Sequence, residues 1–157
     1  MHTMRVYADT SVFGGTQDEE FAKESRRFFE QVQAGRFRLV LSETVLDELK
    51  PAPPDVKAVL ASLSEETTET VSLSPEVAEL RDAYLEAGIV GPSSRRDAEH
   101  IATASVAAVD LIVSWNFHHI VHYDKIRLYH AVNLVQGYKP IPIHTPKEVI
   151  QDEEERL

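Results

Sequence analysis

Short apolar runs of strand character alternate along this chain with longer stretches whose apolar positions repeat at helical spacing. "MRVYA" is a β-rich run expected to end at about Ala8, and "DTSVFGG" after it mixes a carboxylate, hydroxyls and glycines, the chemistry of a strand-to-helix turn. Phe21, Ser25, Phe28, Phe29 and Val32 form a helical stripe closed by Gly35. "FRLVL" reads as a second buried strand, after which Ser42 caps a helix carrying "ETVLDELK" until Pro51, Pro53 and Pro54 break it. "DVKAVLASL" sets Val56, Val59, Leu60 and Leu63 on one face of another short helix. "TETVSLS" alternates as a third strand, and Ser74 with Pro75 opens a helix that runs to Gly88. The loop "IVGPSS" leads into "RRDAEHIATASVAAV", a helix whose small residues suit close packing on a sheet. "LIVS" is the fourth strand, "DKIRLYHAVNLVQ" a helix stopped by Gly137, "PIPIH" a weak fifth strand, and "TPKEVI" a capping box with proline in its first turn.

Strands and helices in alternation predict an α/β fold: a three-layer sandwich with a central, mainly parallel five-stranded sheet flanked by helices. Residues 1–150 read as a single domain and 151–157, "QDEEERL", as an acidic frayed tail. In such sheets the ligand site lies beyond the carboxyl ends of the strands, where strand order reverses. Asp9 and Asn116 both follow strands and are expected at that edge.

Composition narrows the chemistry. With 43% hydrophobic and 27% charged residues the chain is globular rather than disordered. It has no cysteine, which leaves oxygen and imidazole as the metal donors. No signal-peptide pattern opens it and no apolar run is long enough for a membrane span, so a cytoplasmic protein without membrane contact is expected. A net charge of −10 argues against passive binding of nucleic acid, and a phosphate-handling function would need a metal to supply positive charge.

Four residues stand out, each with a structural reading beside the functional one. Asp9 can cap a helix, although Thr10 and Ser11 could do so equally well. Glu48 can be a solvated helix carboxylate, but Leu46 and Leu49 on either side face the core. Asp97 lies three residues after Ser94 and fits the third position of a capping box, and Asn116 fits a turn. Taken together, three carboxylates and an amide oxygen at one sheet edge form the ligand set of Mg²⁺ or Mn²⁺. A cation would relieve the mutual repulsion of the acids.

The chain resembles the PIN-domain nucleases, in particular the VapC-like toxins of toxin–antitoxin pairs. The resemblance rests on "VYADTSVFGG", Glu48 within "SETVLDELK", "DAEHIATA" from Asp97, and "DLIVSWNFHHI" around Asn116, and spans nearly the whole sequence. It implies a metal-dependent endoribonuclease that hydrolyses RNA phosphodiesters with one or two Mg²⁺ or Mn²⁺ ions. Asp9, Glu48, Asp97 and Asn116 would be catalytic and metal-holding, with Ser11 and Ser114 as supporting hydroxyls and Arg95 and Arg96 as weak substrate contacts. It also implies RNA as substrate, a cognate antitoxin protein over the crevice, and a possible homodimer. Asn116 departs from the family's commoner aspartate, leaving one ligand charge fewer. The rival reading is a PIN fold that has weakened catalytically and serves as a binding scaffold.

Other features carry less. His118, His119 and His122 invite zinc but lack a further ligand at sensible spacing. His100 can touch substrate or hold a carboxylate, with core packing or capping the blander reading; Trp115 can stack on a base or pack in the core. A phosphotransfer receiver and a haloacid-dehalogenase-like phosphatase fail because position 11, which the phosphatase needs as aspartate, is serine, and "PIPIH" offers no lysine for the receiver.

Overall fold

The computed structural model of the chain describes residues 3–151. Strands β1 (Met4–Ala8), β2 (Phe37–Ser42), β3 (Thr68–Val71), β4 (Leu111–Val113) and β5 (Ile143–His144) form one sheet in the order β3-β2-β1-β4-β5. Every neighbouring pair is parallel, so the sheet is wholly rather than mainly so. From the central β1 the chain steps outward through β2 to β3, then crosses back to β4 and β5 on the other side. Order therefore reverses between β1 and β4, which pair directly with Val6 opposite Leu111 and Ala8 opposite Val113.

Parallel strands need crossovers, supplied by α1 (Thr10–Gly15), α2 (Ala22–Gln33), α3 (Glu43–Leu49), α4 (Pro54–Ala61), α5 (Pro75–Glu86), α6 (Arg95–Val106) and α7 (Tyr123–Gln136), with α8 (Pro146–Val149) after the last strand. The contacts sort into two layers. Helices α2 and α4 pack on α1 and α8 packs on α2, while α6 and α7 both pack on α5. With helices on both faces, the inner strands are apolar on both sides: Val6, Tyr7 and Ala8 of β1 and all of β4 are buried. Among the described residues no helix is long and apolar enough to cross a membrane.

Local chemistry sets most boundaries where expected. Ser42 and Ser74 accept the Val45 and Val77 N–H groups at the starts of α3 and α5. Thr145 and Glu148 make the capping box of α8, and Gly137 ends α7 in the left-handed conformation at φ 87°. Elsewhere the structure corrects the sequence. "TSVFGG" is a helix in its own right, anchored by buried Val12 and Phe13. Ser94 ends a 3₁₀ turn and makes no side-chain cap on α6, so Asp97 is not part of a capping box. Leu63 lies beyond the end of α4. Helix α6 stops at Val106, three residues short, because the chain turns through Ala108 at φ 54°. Strand β5 is only two residues long, since Pro140 and Pro142 have no N–H to donate. Of the expected tail, 152–157 lie outside the described residues.

Candidate functional site

Asp9 leaves the end of β1 at the reversal point, its N–H donating to Val113 O of β4 at 3.3 Å. It occupies the N-cap position of α1, yet its side chain caps nothing. The carboxylate instead accepts Ser11 Oγ on Oδ1 at 2.5 Å and Ser114 Oγ on Oδ2 at 2.9 Å. Each hydroxyl is oriented by a backbone donor: Trp115 N–H to Ser11 Oγ and Asn116 N–H to Ser114 Oγ, both at 2.9 Å. Those N–H groups occupy the oxygens' lone pairs and leave each proton for Asp9. Ser114, Trp115 and Asn116, directly after the end of β4, thus build the wall that holds this acid.

Glu48 arrives from α3, which follows β2, and is half-buried. Its Oε1 accepts Thr10 Oγ1 at 2.8 Å and meets His100 Nε2 at 2.5 Å. His100 lies on α6 one turn after Asp97 and is buried; its Nδ1 is 2.5 Å from Tyr7 Oη, which is 2.8 Å from Ser42 Oγ. Asn116 Oδ1 accepts His119 N–H at 3.0 Å, a turn contact that uses one of the oxygen's two lone pairs.

The electrostatics bind these groups into one site. Asp9 is only 3% exposed, and burial pushes its carboxyl above the usual range, a shift that the charge of Asp97 increases and His100, Ser11 and Ser114 oppose. Asp97 is also raised, chiefly by burial and further by Glu48, against the pull of His100, His119 and the Asn116 amide. Burial pushes Glu48 upward too, but the hydrogen bond and charge of His100, the Thr10 hydroxyl and Arg96 bring it below its ordinary value. His100 is raised, because its bond to Glu48 and the charges of Asp9, Glu48 and Asp97 outweigh burial. Three acids therefore converge on one imidazole, although among the described residues no three His, Asp or Glu side chains close around a common point as ligands would.

Arg95 and Arg96 are exposed and line a neighbouring cleft of about 660 Å³ with Lys50, Leu73, Glu43 and Asp47. Beneath it a buried ion pair, Arg81 Nη1 to Glu99 Oε1 at 2.8 Å, joins α5 to α6, and Thr44 of α3 donates to the other Glu99 oxygen. Trp115 settles in the core: it is 9% exposed, stacks on Phe21 at 4.3 Å and donates from Nε1 to Ser25 at 2.8 Å. Gly15 makes room for it, since a Cβ there would lie 2.9 Å from the indole and 2.5 Å from Ser25 Oγ.

The structure brings Asp9, Glu48, Asp97, Asn116, Ser11 and Ser114, all singled out in the sequence, to one edge of the sheet, with His100 among them. Sequence reasoning missed Tyr7, Thr10, Ser42, Thr44, Arg81 and Glu99. A buried tyrosine carries no signal in a strand pattern, but the histidine one turn after Asp97 in "DAEH" did mark the helix face turned toward the acids. Compared with known proteins, the chain matches no protein-family model and no curated protein sequence.

Proposed function

We propose that this chain is a metal-dependent endoribonuclease of PIN type, the toxin of a toxin–antitoxin pair. The observation that carries the reading is the convergence of buried Asp9 and half-buried Asp97, both raised, beside half-buried Glu48 at the reversal point of a parallel sheet. Carboxylates gathered in this way are costly unless positive charge joins them, and a set of oxygen donors without a thiol suits a hard divalent ion. Asp9, Glu48 and Asp97 would hold Mg²⁺ or Mn²⁺, one ion or two, with the second lone pair of Asn116 Oδ1 as a neutral donor. The bound ion supplies acidity to water and screens the phosphate oxygens. Ser11 and Ser114 fix the plane of the Asp9 carboxylate, and Arg95 and Arg96 attract the backbone of RNA along the cleft. An antitoxin would cover the crevice with a segment carrying a basic residue into the acidic pocket.

The test is cleavage of single-stranded and structured RNAs by the purified protein with Mn²⁺ or Mg²⁺, with EDTA, and by Asp9→Asn. Cleavage is expected only for the metal-loaded wild type. One feature favours the scaffold reading: Glu48 is engaged by His100 and Thr10 instead of closing on the two aspartates. A metal-loaded wild type that binds RNA and leaves every substrate intact would establish that reading in place of the nuclease.

A further inference from the structure

The side chains of Ser42, Tyr7, His100 and Glu48 form a continuous hydrogen-bonded line from β2 through β1 and α6 to α3, with successive distances of 2.8, 2.5 and 2.5 Å. Its direction follows from the two ends. Ser42 Oγ accepts the Val45 N–H at 3.1 Å, and among the described residues the acceptor for its own proton is Tyr7 Oη. In the neutral ring Tyr7 then donates to His100 Nδ1 and the ring proton lies on Nε2; in the charged ring Nδ1 donates to Tyr7 instead, and in both forms Nε2–H faces Glu48. At the far end two donors, His100 Nε2 and Thr10 Oγ1, meet on Glu48 Oε1, while Oε2 accepts no hydrogen bond among the described residues.

We propose that His100 is the positioning residue of the site: with Tyr7 and Ser42 behind it, it pins one oxygen of Glu48 and so reserves the other for a divalent cation. The inference rests on the metal-dependent reading above and deepens it, since it assigns a task to buried groups that would touch neither metal nor RNA. The His100 ring is 2% exposed, Tyr7 is wholly buried, and their rings also pack at 5.7 Å, so a change at either is transmitted to Glu48 with little slack.

Mn²⁺ binding, followed by titration calorimetry and by loss of the free-ion electron paramagnetic resonance signal, separates positioning from packing. Tyr7→Phe keeps the ring and removes one hydroxyl, and should weaken Mn²⁺ roughly 10-fold. His100→Leu should weaken it roughly 10- to 100-fold, while His100→Gln, which retains an N–H donor toward Glu48, should recover most of the loss. Thermal unfolding of each variant identifies any that fails to fold, and the Tyr7→Phe comparison stands by itself if both His100 variants do. Equal Mn²⁺ affinity in folded Tyr7→Phe and wild type overturns the inference, as does a leucine that performs as well as glutamine. A wild type that binds no Mn²⁺ overturns the metal-dependent reading itself, an outcome distinct from unchanged variants.

Discussion

Ser114 Oγ donates to Asp9 Oδ2 at 2.9 Å across neighbouring strand ends, joining residues 105 positions apart in the chain. The same oxygen accepts Asn116 N–H at 2.9 Å, so one hydroxyl both braces the acid and starts the turn beyond it. Under the proposed function, Ser114→Ala should reduce Mn²⁺-supported cleavage by roughly 10-fold while the protein stays folded. Initial rates at saturating RNA over a range of Mn²⁺ concentrations check this; an unchanged metal dependence would remove Ser114 from the site.

Asp9 sets stability against function. Burial holds its carboxyl above the ordinary range, so folding disfavours the ionised form. The contribution of this group to stability is complete below the unfolded carboxyl value and is lost as pH rises through the raised folded value. In EDTA at pH 7, Asp9→Asn should be more stable than the wild type, and the gap should close as the pH falls toward 4. Each pH unit of elevation corresponds to about 1.4 kcal/mol, or about 2–4 °C per kcal/mol in melting temperature for a chain of this size. Melting curves of both proteins across that range decide the sign.

Metal should reverse the ranking. Under the proposed function a cation binds the folded state only, and Mg²⁺ or Mn²⁺ at about 100 times its dissociation constant should then stabilise the wild type by about 2.7 kcal/mol and leave Asp9→Asn nearly unmoved. Differential scanning calorimetry with and without the ion tests it. Equal shifts in the two proteins would mean that the ion binds elsewhere.

The Arg81–Glu99 pair lies under the cleft, with side chains 8% and 10% exposed. Glu99→Gln removes the buried one of Arg81's two carboxylate partners, leaving the exposed Asp82 at 3.1 Å from Nε, and should cost up to about 3 kcal/mol in urea unfolding. Arg81→Leu combined with Glu99→Leu should recover part of that loss, since two apolar groups leave no unpaired charge.

Gly15→Ala should cost about 1–3 kcal/mol by overpacking against Trp115 and Ser25. The indole is joined in the chain to Asn116, so its displacement should also weaken Mn²⁺ binding, whereas alanine at Gly14, where a Cβ meets nothing within 4 Å, should leave binding intact.

The elements that could be read from the chain are those written in local chemistry. Ser42, Ser74 and Thr145 announce helix starts through oxygens that reach their own backbone, and Gly137 announces a stop through a conformation that other residues resist. Asp9 and Asn116 were legible because parallel sheets have a preferred edge for ligands. What stayed hidden depends on partners far away in sequence. Helix α1 has two glycines in six residues and is held by the burial of Val12 and Phe13, and His100 owes its role to Tyr7, 93 positions earlier. Ser94 shows the opposite failure: a plausible local motif yielded to the 3₁₀ turn that positions α6.

Placing β1 between β2 and β4 has a consequence for biosynthesis. As the chain leaves the ribosome, Asp9 and β2, the first partner of its strand, emerge early, but the strand ending at Val113 follows only after about 70 more residues. Until it docks, Asp9 lacks the brace from Ser114, and one edge of its strand stays open to solvent. A nascent polypeptide of this topology thus cannot complete the edge that carries Asp9 and Ser114 until most of the molecule has already been made.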